Sequence, residues 1–195
     1  MKKLSSILMI GLAALAFQAC QNKAKDSTAS ADSINKTKDT TSNVSATGGI
    51  AVDKDDAKFV VTAANDGMAE VGAGKMAQEK AVSKRVKAFA DMMVTDHTKA
   101  GDELAAIAKT KNITLPAAPN ADAQKMAADM GKMSGKDFDK DYVNGMVDGH
   151  EKAVKLFTDA SQNLKDPDLK AFATKTLPTL KMHLDSIKAI KKNMK

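Results

Sequence analysis

The chain has 195 residues, enough for one ordinary domain and a long extension. Aromatic residues make up 4%, with no Trp and one Tyr, which argues against a β-sandwich and suits close-packed helices. The net charge of +6 is carried almost wholly by Lys, and without an Arg or aromatic cluster it excludes a nucleic-acid surface.

Met1-Lys2-Lys3 is a short basic start, and Leu4 to Phe17 is an apolar run too short to span a bilayer comfortably. It leads to Phe17-Gln18-Ala19-Cys20, where the sole Cys follows a small residue. This resembles a bacterial lipoprotein signal, in which the Cys becomes the lipidated N-terminus. Residues 1–19 are therefore expected to be a signal peptide, and Cys20 to anchor the protein to a membrane. Cleavage after Ala14-Leu15-Ala16 is the alternative and would give a soluble exported protein. Either way, one Cys excludes an internal disulfide. From Gln21 to Val52 the chain is rich in Ser, Thr, Asp, Lys and Asn with no hydrophobic period, so residues 20–52 are expected to be a flexible tether.

The folded domain, residues 53–195, is expected to start at Asp53, with Asp56 resembling a capping pair. Phe59, Val60, Ala63, Gly67, Glu70, Gly74 and Ala77 then follow at helical spacing. Ser83 is placed to cap a second helix, whose stripe is Val86, Phe89/Ala90, Met93, His97, Ala100, Leu104 and Ile107/Ala108. That helix should fade near Asn112, before Pro116 and Pro119. Ile113 to Ser134 reads as a long connection with a short helix over Ala121 to Met133. A third helix carries Phe138, Tyr142, Met146, His150, Val154, Phe157 and Leu164. Asp166 with Pro167 opens a fourth, with Leu169, Phe172/Ala173, Leu177, Leu180, His183/Leu184, Ile187 and Ile190 inward.

The two halves are related at an offset of 83 positions, which aligns Phe59 with Tyr142, Ser83 with Asp166, and Val86-Lys-Ala-Phe-Ala90 with Leu169-Lys-Ala-Phe-Ala173. The fold class expected is all-α: a ferritin-like four-helix bundle of two related helical hairpins, with a long crossover between helices 2 and 3. A simple up-and-down bundle needs no such connection and ranks second.

The three histidines, His97, His150 and His183, fall on the inner stripes of three helices, and Glu70 supplies the fourth. With about 1.5 Å of rise per residue, the crossover order brings all four to similar heights near mid-bundle. Neutral imidazoles with one carboxylate make a candidate transition-metal set for Cu, Zn or Fe. The competing reading is a hydrogen-bonded Glu–His core cluster without metal. The Glu-x-x-His pairs of di-iron proteins are missing, since Val94, Val147 and Leu180 stand three before the histidines, so oxygen-activating di-iron chemistry is disfavoured. Met93 and Met146, one turn before two histidines, are soft donors that suit copper but also serve as core filler.

Asp56-x-x-Phe59, Glu70, Val86-Lys-x-Phe89-Ala90-x-x-Met93-Val94-x-Asp96-His97, Phe138-Asp139-x-x-Tyr142, Met146-Val147-x-x-His150 and Leu177-Pro178-x-Leu180-x-x-His183 resemble a bacterial family, domain of unknown function 4142. Its members carry outer-membrane or periplasmic labels. The resemblance implies a ferritin-like bundle in the cell envelope, on the periplasmic face or the outer membrane, and no established enzymatic activity. A metal-binding envelope lipoprotein and a non-metal structural or stress-related interaction module are the two functions that remain; a redox enzyme comes third.

Overall fold

The computed structural model describes residues 26–38 and 53–194; the leader, Cys20 and the rest of the expected tether lie outside the described residues. Six helices make up the described chain: α1 (Ser27–Lys38), α2 (Lys54–Lys80), α3 (Lys84–Thr110), α4 (Ala121–Gly131), α5 (Gly135–Asn163) and α6 (Pro167–Lys192). No strand occurs among the described residues. The long helices pair α2 with α3 and α5 with α6, and the pairs meet through α2 on α5 and α3 on α6.

Local signals account for most helix ends. The Asp53 side chain accepts from the backbone N–H groups of Asp55 and Asp56 and so caps α2. Asp166 does the same for α6 through Asp168 and Leu169, with Pro167 at the first helical position. Helix α3 stops where Asn112 adopts φ 57, a left-handed conformation that Asn tolerates. The Ile113 N–H then reaches back to the Ala108 carbonyl at 2.9 Å. Ser83 occupies the cap position of α3 but makes no side-chain cap bond.

Asp56, expected to join a capping pair, does something else. Its carboxylate accepts from the Lys165 and Asp166 N–H groups, both at 3.0 Å, and so clasps the α5–α6 turn. Asp139 on α5 accepts from the Val82 and Ser83 N–H groups at 3.1 and 2.8 Å, clasping the α2–α3 turn. Donors and acceptors of the two clasps are all related by the same 83 positions. Ring packing follows suit: Phe59–Phe172 centroids lie 6.5 Å apart and the related Tyr142–Phe89 pair 6.4 Å apart, both edge-on.

Buried residues form two clusters. One gathers Phe59, Leu104, Phe157, Leu164, Leu169 and Phe172; the other gathers Val86, Phe89, Met93, Phe138, Tyr142 and Ile187. The start of α2 thus meets the end of α5, while the start of α3 meets the end of α6. The chain between α3 and α5, carrying α4, returns along the long helices.

Part of the expected tether is helical. Asp26 accepts from the Thr28 N–H at 3.0 Å and opens α1. Buried Asn35 exchanges two hydrogen bonds with the Thr114 backbone, at 2.8 and 2.7 Å. The Ser27 hydroxyl oxygen accepts from the Ala117 and Ala118 N–H groups, and the Lys38 ammonium donates to the Asn112 carbonyl. Only Ala31 of α1 is a buried apolar residue. The helix is attached through polar groups, which explains why no hydrophobic period announces it.

Candidate metal centre

Each long helix contributes one buried polar residue to a central cluster, between its contributions to the two apolar clusters. Glu70 precedes Ala73 on α2, His97 lies between Met93 and Leu104 on α3, His150 between Met146 and Ala153 on α5, and His183 between Leu180 and Ile187 on α6. All four are buried. The ring centroids form a nearly equilateral triangle with sides of 5.5, 5.4 and 5.4 Å. One nitrogen from each ring lies within 4.8 Å of the others. Bonds of about 2.0–2.1 Å to a shared ion imply nitrogens roughly 3.3–3.6 Å apart, so the rings would have to turn inward to hold one.

The remaining nitrogen of each ring is held from behind. His150 Nδ1 lies 2.9 Å from the Met146 carbonyl, and because a carbonyl only accepts, Nδ1 carries the proton. His97 Nδ1 is 3.0 Å from Glu70 Oε2, and His183 Nε2 is 2.9 Å from Asp96 Oδ2. This leaves His97 Nε2, His150 Nε2 and His183 Nδ1 buried without a partner. Imidazoles that ligate metals almost always donate the other N–H to a carboxylate or carbonyl, which orients the ring and raises its basicity. The donor set fits a transition metal on that ground.

Glu70 does not join the converging nitrogens. Both of its oxygens face rings, Oε2 that of His97 and Oε1 that of His150 at 3.4 Å. The expected ligand set of Glu70, His97, His150 and His183 therefore separates into three histidines and one carboxylate behind them. Asp96 was visible in the sequence only as a neighbour of His97; its contact with His183 crosses from α3 to α6. Met146 serves the site through its carbonyl, while its side chain and that of Met93 belong to the second apolar cluster.

Burial sets the protonation states. Taken out of water, and facing His150 and His183, His97 is pushed down to about 3. Burial likewise lowers His150 to about 4, against the Met146 hydrogen bond, and lowers His183, against Asp96. The rings are neutral and carry lone pairs at neutral pH. Burial, then the charge of Asp66, raises Glu70 to about 8. Whichever of Glu70 and His97 holds their shared proton in the metal-free protein, a cation on Nε2 requires it on Nδ1. A cavity of about 500 Å³ adjoins the cluster and is lined in part by Glu70, His97 and His183.

Among solved structures the chain is similar in fold to a DUF305 fragment from Deinococcus radiodurans, with a TM-score of 0.63 at 12% identity over 72% of this chain and 97% of that one. CopM in its Cu(II)-bound form gives 0.62 at 16% identity over 72% and 97%. CopM in its Cu(I)-bound form gives 0.60 at 17% identity over 71% and 96%. No curated protein matches the chain. The family profile described as "Domain of unknown function (DUF4142)" matches residues 40–190, and the protein belongs to that family.

Proposed function

We propose that the protein binds a transition-metal ion, copper before zinc or iron, between His97, His150 and His183. The observation that carries this reading is the set of three buried, unpartnered ring nitrogens, each on an imidazole whose other nitrogen is held from behind. Glu70 and Asp96 would orient two of the rings and offset the ion's charge. Copper is ranked first because CopM, similar in fold, has Cu(II)- and Cu(I)-bound forms. A bound ion would supply redox or Lewis-acid chemistry; the residues themselves bind, orient and exclude water.

This reading includes a ferritin-like four-helix bundle of two related hairpins, with the chain from residue 111 to 134 as its crossover. The reciprocal Asp56 and Asp139 clasps support it. It also includes export to the cell envelope and a lipid anchor at Cys20, supported by the basic start, the apolar run and the placement of the single Cys. Cys20→Ala should release the protein from membranes and remove an acyl mass from the N-terminal peptide. Unchanged fractionation with no acyl mass would sink the anchor.

Isothermal titration with Cu(II), Zn(II) and Fe(II) tests the centre. Wild type should bind one equivalent, and His97→Ala should lose at least tenfold in affinity, while Lys99→Ala should not. Equal, weak binding by wild type and His97→Ala would leave the histidines as a polar core cluster.

A further inference from the structure

Helix α1 shortens the connection between the bundle and the expected anchor. Residues 20–52, read as free chain, would give Cys20 a reach of about 110 Å when fully extended. Asp26 is already fixed to the bundle, because its carboxylate accepts from the Ala121 N–H at 2.7 Å. The Ser27 hydroxyl oxygen accepts from the Ala117 and Ala118 N–H groups, and Asn35 is bonded both ways to Thr114. Ala31 is buried beneath the helix. Only residues 21–25 then separate Cys20 from the docked chain, a reach of about 20 Å at most.

The point of attachment lies on one side of the bundle rather than at an end. Helix α1 rests on α2, and α4 rests on α2 and α5. The chain between α1 and α4 contacts is tied to the middle of α2, where the Asn65 side-chain oxygen accepts from the Asn120 N–H at 2.7 Å. Asn65 lies about 17 Å along α2 from Lys54 and about 23 Å from Lys80. Helix α2 pairs with α3 and α5, and α6 pairs with the same two, so α6 stands diagonally across from α2. At about 10 Å per packed helix, the path from α1 across α2 to the outer surface of α6 is about 30 Å. A leash of about 20 Å does not reach round it.

Charge does not oppose contact of the α1–α4 side with lipid. Asp26 and Asp32 balance Lys36 and Lys38 there, and Asp122 and Asp129 balance Lys125 and Lys132. Exposed Ile34 on α1 and Met126 on α4 add apolar surface. With no excess of either sign, headgroup charge neither holds nor repels this side, and the short leash sets the orientation.

We propose that the anchored protein lies with its α1–α4 side against the phospholipid surface and with α6 turned to the aqueous phase. The α3–α6 seam, where Asp96 meets His183 and Glu103 meets Lys175, then faces away from the lipid. This inference rests on the lipid anchor at Cys20 and is independent of any bound metal.

The test uses the full chain, exported and acylated by a bacterial host and reconstituted in phosphatidylethanolamine–phosphatidylglycerol vesicles. Acylation occupies the Cys20 thiol, so Met126→Cys or Met182→Cys, each at an exposed position, carries a single fluorophore. Energy transfer to an acceptor-labelled lipid should be about threefold or more faster from position 126 than from 182, since some two helix diameters separate their heights. High salt should leave that ratio unchanged. A Gly/Ser insertion of about twenty residues between Lys25 and Asp26 should bring the two rates together. Equal transfer without the insertion, or faster transfer from position 182, would overturn the orientation. A ratio indifferent to the insertion, or abolished by salt, would overturn the short leash as its cause. Protein that leaves the vesicles and carries no acyl group defeats the anchor itself; acylated, vesicle-bound protein with equal transfer defeats this inference alone.

Discussion

Burial acts on Glu70 and on the histidines in opposite directions, and the two effects can be separated by pH. His97 and His150 are held at about 3 and 4 in the folded protein against a usual 6.5. The unfolded chain binds more protons in that window, so their contribution is present above pH 6.5 and is lost as pH falls toward 4 and 3. Glu70 is raised from 4.5 to about 8, so the folded state binds the extra proton, and its contribution is lost as pH rises through that range. Considered alone, these groups place the stability maximum of the metal-free protein near pH 6.5. Glu70→Gln should remove the decline between pH 6.5 and 8 in thermal melts; an unchanged alkaline slope would contradict the buried-carboxyl assignment. The positions of the four polar residues were legible as interruptions of apolar stripes. Their division of labour was not, because period and height cannot say which ring nitrogen faces a carboxylate or that Met146 contributes a carbonyl.

Helix-scale order depends on backbone groups at the turns. Asp56→Ala or Asp139→Ala each strips two backbone N–H groups of their acceptor. Each should cost about 1–3 kcal/mol in urea unfolding, since each removes two part-buried hydrogen bonds to a carboxylate. The two losses should add, because the clasps belong to different turns and share no partner. A loss under about 0.5 kcal/mol in either would show that water replaces the carboxylate. The long helices were legible because their inner faces keep three-and-four spacing and Asp53, Asp166 and Pro167 mark starts. Helix α1 was not, since it docks through Asn35, Ser27 and Lys38 rather than an apolar stripe. Asn35→Ala should speed hydrogen exchange at the Thr114 amide, whose acceptor is the Asn35 carbonyl oxygen. Protection at wild-type level would mean that α1 does not hold the connection.

Across the whole molecule, the 83-position correspondence holds at the turns and fails in the middle layer. The clasps and aromatic pairs keep the relation between the halves. The middle layer breaks it, with Glu70, His97, His150 and His183 on one side and Ala153, Leu180, Gly67 and Ala100 on the other. The middle layer thus holds one polar centre beside one cavity. The offset was legible in Lys-Ala-Phe-Ala and the caps. The hollow was not, because a small residue on an inner stripe reads as close packing until the neighbouring helices are in place. The central claim is that the three free ring nitrogens share one ion. Anomalous diffraction from a Cu(II)-soaked crystal tests it most directly. The account predicts a single strong peak about 2.0–2.1 Å from His97 Nε2, His150 Nε2 and His183 Nδ1, with Glu70 and Asp96 still behind the rings. No peak in the triangle, or a peak held by Glu70 or by surface carboxylates instead, would contradict it.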